Sequence, residues 1–160
     1  MTPASASLTL TVETHSEDAT EALGRRLGAR LRAGDCVALI GSLGTGKTAL
    51  ARGIAQGAGA SGHMASPSFV LIREYTGPVR VFHADLYRLE RREEIDTLGL
   101  EELCEGEGIV LIEWADRAPW VLPDDHAIIE CEFGATPTGR VFTVTMPATM
   151  RGRLEAAVSG

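Results

Sequence analysis

Residues 41–50 read GSLGTGKTAL, a glycine-rich segment whose spacing and neighbours indicate the class of fold. It follows the apolar run CVALI and precedes ARGIAQGAG, a succession typical of a strand, a loop and a helix. The spacing G-x-x-x-x-G-K-[ST] is carried by Gly41, Gly46, Lys47 and Thr48. Glycines let the backbone turn with positive φ, so that several N–H groups point into one concavity at the start of the helix. Such a concavity binds phosphate oxygens, and we expect this loop to bind a nucleotide.

Lys47 is the only lysine in the chain, which otherwise uses arginine for its fixed positive charges. The compact ammonium of lysine fits inside a ring of backbone groups, whereas the planar fork of arginine is bulky. We expect Lys47 to reach the β- and γ-phosphates, and the Thr48 hydroxyl to take one position around Mg²⁺. The candidate ATP-binding residues are Gly41, Leu43, Gly44, Thr45, Gly46, Lys47, Thr48 and Ala49.

Two acidic residues that follow apolar runs are candidates for magnesium or water chemistry. Glu113 ends GIVLIE, and Asp85 ends VRVFHAD. A carboxylate after a buried strand is costly unless it meets a cation or donors, so we expect Glu113 to bind Mg²⁺ directly or through water. Asp85 is a second candidate to orient water or Mg²⁺, although it is also suited to cap a short helix at DLYRLE. His83 shares a strand face with Asp85 and is equally compatible with packing and with a site role.

The bulk composition bounds the class of protein. A chain of 160 residues with 44% hydrophobic residues suits one domain over residues 1–160. The net charge of −7 disfavours direct binding to nucleic-acid phosphates, and RLERREE at 88–94 interleaves both signs as a solvated helix face does. The N-terminus lacks signal-peptide features, and no apolar run approaches the length of a membrane span, so we expect a cytoplasmic protein that does not contact a membrane.

The three cysteines, Cys36, Cys104 and Cys131, are far apart and contain no C-x-x-C pair. They predict neither a metal site nor a disulfide framework, and we expect them to pack as small apolar groups.

Helix and strand patterns alternate along the chain. One helix is expected from its cap at Ser16 through about Leu31, closed by Gly34, because apolar residues recur every four positions. Further helices are expected after the phosphate loop, as a broken helix over REEIDTLGLEELCEG, and at 150–158. Strands are expected at 7–13, 36–41, 68–75, 79–86, 108–114, 126–133 and 140–146. The pattern predicts a three-layer α/β domain of the P-loop NTPase type, with a mainly parallel sheet plus antiparallel strands.

Four motifs in order resemble the TsaE (YjeE) family of bacterial P-loop ATPases, which serve in forming N6-threonylcarbamoyladenosine on tRNA. They are GSLGTGKT, SPSF, HADLYR and IEW, and the resemblance covers about residues 8 to 146. The family's usual residues differ at Ser42, Thr45 and Ser68, where it has Asp, Ala and Thr. None of these differences removes a group that the chemistry needs.

The resemblance implies a role for each matching residue. It implies that the loop from Gly44 to Thr48 binds the phosphates of ATP, that Thr48 and Glu113 hold Mg²⁺, and that Asp85 acts in hydrolysis. The implied catalytic residues are therefore Lys47, Asp85 and Glu113.

Two further roles follow from the resemblance alone. Ser66, Pro67 and Ser68 resemble a switch-like loop, although their composition by itself is more typical of a turn at the start of a strand. Trp114 is implied in coupling to partners, although an aromatic residue after a strand is by itself typical of core packing. The implied partners are the TsaB and TsaD proteins, with tRNA reached only through them.

Other functions remain open from the sequence. The ATPase is expected to be slow alone, because no arginine is placed against the γ-phosphate and a missing arginine finger costs on the order of 10³ in rate. A P-loop small-molecule or nucleotide kinase is the main alternative, with RLERREE as the only candidate for its arginine-rich lid. A nucleotide-gated adaptor with incidental turnover is the other. Arg140 is a candidate to stack on a base, although a surface ion pair is the simpler expectation.

Overall fold

Residues 7–61 and 71–160 are described by the structure, a computed structural model of the chain. They form a seven-stranded sheet in the order β1-β7-β6-β2-β5-β4-β3. The strands are β1 (Leu8–Thr14), β2 (Cys36–Gly41), β3 (Ile72–Tyr75), β4 (Val81–Asp85), β5 (Ile109–Glu113), β6 (Ala127–Phe133) and β7 (Arg140–Met146).

Parallel pairing occupies the centre of the sheet, and antiparallel pairing occupies both edges. β4, β5, β2 and β6 pair in parallel, whereas β3 pairs antiparallel with β4, and β7 pairs antiparallel with both β6 and β1. All residues of β5 are buried, as expected for a strand covered on both faces, whereas β1 alternates half-buried and exposed residues. The predicted α/β class is confirmed, with as many antiparallel as parallel pairings.

Helices cover both faces of the sheet. One face carries α1 (Glu17–Gly28), α2 (Lys47–Gly57) and α5 (Ala148–Ser159), and the other carries the short α3 (Arg92–Asp96) and α4 (Leu100–Cys104). Successive residues of β2 point to opposite faces of the sheet and pack in different hydrophobic cores. Val37 packs with α1 and α2, whereas Ala38 packs with α3 and α4. The predicted broken helix is confirmed, because Gly99, at φ +72°, separates α3 from α4.

The first helix begins where its cap predicts but ends early. The Ser16 hydroxyl accepts the Ala19 N–H at 3.0 Å. The expected end near Leu31 is wrong, because α1 stops at Gly28 and the chain continues in a turn. The Asp35 carboxylate accepts the Arg32 N–H at 2.7 Å, which stabilises the turn into β2.

The helices α1 and α2 pack backbone against backbone. The contact is made by glycines spaced G-x-x-x-G in each helix, namely Gly24, Gly28, Gly53 and Gly57. A methyl group on Gly24 would lie 2.5 Å from the Leu50 carbonyl oxygen and 2.9 Å from the Gly53 Cα atom. Only hydrogen side chains permit this approach, which brings the N-terminus of α1 beside the phosphate loop.

The cysteines pack in the two cores as expected. All three are buried and free, and the Cys36 and Cys104 sulfurs lie 3.5 Å apart between β2 and α4. In the described ranges, no helix has both the length and the apolar character needed to cross a bilayer.

Candidate functional site

The phosphate loop joins the end of β2 to the start of α2. Gly41 is required there because a Cβ atom would collide with the Cys131 carbonyl oxygen. Gly46, the residue before α2, has φ +97° and no side chain to cap the helix. The first turn of α2 contains no acidic residue, so its N–H groups and the positive end of its dipole are available to an anion.

Lys47 is held by its own loop. Its ammonium donates to the carbonyl oxygens of Gly41 and Ser42, each at 2.7 Å, and lies 4.3 Å from the centre of the Trp114 ring. Burial lowers the pKa of Lys47, against the opposing effect of nearby acidic groups such as Glu113. The side chain is 4% exposed, so it is a local cation at the floor of the loop and not a surface charge.

A chain of hydrogen bonds joins α2, β5 and β4. The Thr48 hydroxyl donates to Glu113 Oε1 at 3.0 Å, and His83 Nε2 lies 2.5 Å from Glu113 Oε2. Burial raises the pKa of Glu113, but the hydrogen bond and charge of His83, the Thr48 hydroxyl and the charge of Lys47 outweigh it and hold that pKa below its ordinary value. Glu113 is 2% exposed and is therefore a buried carboxylate stabilised in its ionised form.

Asp85 lies beside Glu113 at the same edge of the sheet. The two residues are paired in the register of β4 and β5, both at the carboxyl ends of parallel strands. Asp85 is half-buried, and its Oδ1 accepts the Tyr87 N–H at 3.0 Å. This bond stabilises the turn after β4, so Asp85 has a local structural role as well as its place beside the predicted magnesium ligand.

Trp114 faces the phosphate loop. It is the only residue other than glycine with positive φ in the described parts of the chain, at +60°. Such a conformation costs about 1–3 kcal/mol for a bulky residue and persists only where its surroundings fix it. Its backbone N–H donates to the Leu39 carbonyl oxygen at 2.9 Å. Its indole ring contacts Lys47, Tyr87 and Arg117. The ring thus has both a packing role and direct contact with the loop's lysine.

A cavity of about 380 Å³ opens beside the loop. Its walls come from the N-terminus of α1, the phosphate loop, Trp114 and the segment before β7. The lining residues are Ser16, Glu17, Thr20, Leu43, Gly44, Gly46, Lys47, Thr48, Ala49, Trp114, Pro137, Thr138 and Arg140. Sequence reasoning missed the walls from α1 and from 137–138, because neither carries a motif.

Arg140 lines this cavity but is not an ion-pair partner there. It donates to the carbonyl oxygens of Pro137 and Gly139, and its guanidinium lies 5.1 Å from the centre of the Phe133 ring. The surface ion pair expected for Arg140 is not found among residues 7–61 and 71–160.

The remaining site predictions fall in different places. Of the candidate loop residues, Gly41 and Thr45 do not line the cavity. The side chain of Thr45 turns back onto the loop, where its hydroxyl donates to the Ser42 carbonyl oxygen at 2.7 Å. Ser66, Pro67 and Ser68 lie outside the described residues. Within the described ranges, no group of three or more His, Cys, Asp or Glu side chains is placed to hold a metal ion.

The chain is similar to proteins of one known family. The family model "Threonylcarbamoyl adenosine biosynthesis protein TsaE" matches residues 14–140. Among curated proteins, the tRNA threonylcarbamoyladenosine biosynthesis protein TsaE of Nostoc is 44% identical over 109 residues, covering 65% of this chain and 67% of the relative. The protein of the same name from Bacillus subtilis is 37% identical over 114 residues, 71% of each chain.

Solved structures give the same result. The crystal structure of YdiB from Bacillus subtilis superimposes with a TM-score of 0.78 at 28% sequence identity, covering 96% of this chain and 95% of that one. The family match spans the phosphate loop, the strand-end carboxylates and Trp114. The chain therefore belongs to the TsaE family of threonylcarbamoyladenosine biosynthesis proteins.

Proposed function

We propose that this protein binds and hydrolyses Mg-ATP and acts on a TsaB–TsaD complex during formation of N6-threonylcarbamoyladenosine on tRNA. The observation that carries the proposal is the 3.0 Å contact between Thr48 Oγ1 and Glu113 Oε1 at the uncapped start of α2. A hydroxyl and a carboxylate beside a phosphate-binding helix are the protein ligands that Mg²⁺ takes with nucleotides, the others being phosphate oxygens and water. Mg²⁺ needs no cluster of three acidic or histidine side chains in such a site.

The side chains divide the work of hydrolysis. The N–H groups of the loop bind the phosphates, and Lys47 exchanges its bonds to Gly41 and Ser42 for bonds to phosphate oxygens. Thr48 and Glu113 would hold Mg²⁺, which neutralises charge on the phosphates. Asp85, beside Glu113, orients the attacking water. The cavity wall formed by Pro137, Thr138 and Arg140 is the proposed binding site for the adenine base of ATP.

The arginines near the site support partner-dependent turnover. Arg117, whose guanidinium lies 5.4 Å from the Trp114 ring centre, donates to the carbonyl oxygens of Tyr87 and Leu89. Arg140 is bonded to carbonyls of its own turn. Both guanidiniums are thus engaged elsewhere, and a partner that supplies a cation to the γ-phosphate would raise the rate by about 10³ or more.

Exposed apolar side chains around the site support a protein partner at this edge. The large apolar residues that are exposed in the described ranges are Leu43, Tyr87 and Phe133, at 65%, 41% and 57%. Leu43 belongs to the phosphate loop, and Tyr87 packs on Trp114 with ring centres 5.0 Å apart. Phe133 lies near Gly44. Exposed apolar groups mark surfaces that bind other proteins, and here they surround the proposed nucleotide site. A partner bound there would contact the phosphate loop directly, which agrees with the proposed coupling role of Trp114.

ATP hydrolysis should be measured for the protein alone, with TsaB plus TsaD, and with tRNA alone. We expect slow turnover alone, strong stimulation by the two proteins, and none by tRNA without them, since the net charge of −7 disfavours direct contact. High activity alone that the partners leave unchanged would contradict the proposal. If partner affinity depends on ATP but turnover does not matter for modification, the protein is a nucleotide-gated adaptor.

The kinase alternative has less support. Two of the three arginines of RLERREE are engaged away from the cavity: Arg91 pairs with Glu94, and Arg92 pairs with Asp96 and lies over Trp120. These arginines are therefore not placed as a phosphate lid.

The single sheet of the described residues supports one domain over 1–160, and tRNA modification supports a cytoplasmic protein.

A further inference from the structure

Among the described residues, the one polar partner of His83 is the Glu113 carboxylate. Nε2 lies 2.5 Å from Oε2, while Nδ1 has no hydrogen-bond partner in the described part of the chain. The two side chains are 4% and 3% exposed. Leaving a buried ring nitrogen unpaired costs free energy, so among the described residues it is the contact with Glu113 that fixes the direction of the imidazole. It is oriented toward one oxygen of Glu113.

The strand register explains why the two side chains meet. In the parallel pair of β4 and β5, His83 lies opposite Leu111, and Asp85 lies opposite Glu113. Alternate residues of a strand share a face, so His83, Asp85 and Glu113 are all on the face covered by α2. His83 lies two residues before the carboxyl end of β4, so its imidazole is farther inside the sheet than the two carboxylates and approaches Glu113 from the core.

The two oxygens of Glu113 therefore have different partners. Oε2 is bonded to His83 on the core side, and Oε1 is 3.0 Å from the Thr48 hydroxyl on the side of α2. A carboxylate held at one oxygen cannot rotate freely about its last bond. Its other oxygen is then kept in one direction, here toward the start of the P-loop helix.

We propose that His83 is a positioning residue, which holds Glu113 Oε2 so that Oε1 alone is presented beside Thr48 to the Mg²⁺ of Mg-ATP. The inference rests on the proposed function, because it concerns the same magnesium ligand. A partner that orients a metal ligand in this way contributes about 10- to 100-fold to metal affinity. His83 touches neither nucleotide nor water in this role and acts only through Glu113.

The test compares the wild type with three variants by equilibrium ATP binding, measured over a range of MgCl₂ concentrations and in EDTA. His83→Phe keeps a planar ring but removes the donor. His83→Gln places an amide nitrogen near the position of Nε2. His126→Phe is the matched control, since His126 bonds to the Pro123 carbonyl in a turn outside the site.

We expect His83→Phe to raise the Mg²⁺ concentration for half-maximal ATP binding about 10- to 100-fold, with ATP affinity in EDTA unchanged. His83→Gln should restore the wild-type Mg²⁺ dependence, and His126→Phe should retain it. A wild-type Mg²⁺ dependence in His83→Phe would overturn the proposal. Equal losses of affinity with and without Mg²⁺ would also overturn it, since they indicate a packing role.

His83→Asn covers the case in which His83→Phe does not fold. It differs from His83→Gln by one methylene, and its shorter amide does not reach Oε2. The proposal requires a shifted Mg²⁺ dependence for Asn and not for Gln, and equal behaviour of the two would refute it. If wild-type ATP binding itself does not depend on Mg²⁺, the proposed function fails together with this inference. If wild type depends on Mg²⁺ and the His83 variants behave like it, only the inference fails.

Discussion

Replacing Gly24 with alanine tests the backbone contact between α1 and α2. The new methyl group would lie 2.5 Å from the Leu50 carbonyl oxygen, 2.9 Å from the Gly53 Cα atom and 2.9 Å from the Ile54 nitrogen. All three atoms belong to the backbone of α2, so the helices must separate by about 1 Å to reach ordinary contact. Overpacking of this kind costs about 1–3 kcal/mol, and alanine returns about 1 kcal/mol through its helix propensity. We expect a net loss of up to about 2 kcal/mol in the free energy of unfolding.

Gly152→Ala is the matched control, because Gly152 lies within α5 and a methyl group there would meet nothing within 4 Å. It should gain about 0.5–1 kcal/mol from propensity alone. Urea unfolding followed by circular dichroism measures both changes, and the two substitutions should have opposite signs. A Gly24→Ala variant that is as stable as Gly152→Ala, or more so, would refute the close packing of these helices.

The remaining predictions concern the site. Lys47→Ala should weaken ATP binding by about two orders of magnitude through loss of charge-assisted hydrogen bonds, with the far-ultraviolet spectrum unchanged; wild-type affinity for Mg-ATP would contradict this. Asp85→Asn should lower kcat of the partner-stimulated ATPase with little change in ATP affinity, and unaltered turnover would exclude its role toward water. Glu113→Gln should remove part of the acid sensitivity of the fold. Because the folded-state pKa of Glu113 lies below its ordinary value of 4.5, ionised Glu113 stabilises the protein above pH 4.5, and this contribution is lost as pH falls through the lower folded value. Urea midpoints between pH 6 and pH 3 should thus fall more steeply for wild type than for Glu113→Gln, and parallel profiles would contradict the assignment.

The phosphate loop and the strand-end acids are predictable from sequence because each depends on local order. A glycine-rich loop between a buried strand and a helix specifies its own geometry, and Glu113 follows an apolar run that has to be an inner strand. Parallel neighbours then bring Asp85 to the same edge. The resemblance of the motifs to the TsaE family was confirmed by the family match over residues 14–140.

Other features depend on contacts between distant segments and carry no local pattern. The contact of His83 with Glu113 requires the register of β4 and β5, and the cavity walls come from segments more than 100 residues apart. The early end of α1 was missed because apolar spacing continued to Leu31, while the Asp35 carboxylate stabilised a turn instead. The G-x-x-x-G spacings were visible in the sequence, but their meaning requires knowing that the two helices are neighbours.

The contact between Trp114 and the Lys47 ammonium gives the protein a built-in optical signal. Indole emission responds to a nearby positive charge, and in the proposed function Lys47 leaves its carbonyl partners to bind phosphate oxygens. The chain has one other tryptophan, Trp120, whose indole N–H donates to Asp96, the last residue of α3, outside the cavity. Replacing Trp120 with phenylalanine would leave a single tryptophan at the phosphate loop, and under the proposed function its emission would follow nucleotide occupancy in real time without any attached dye.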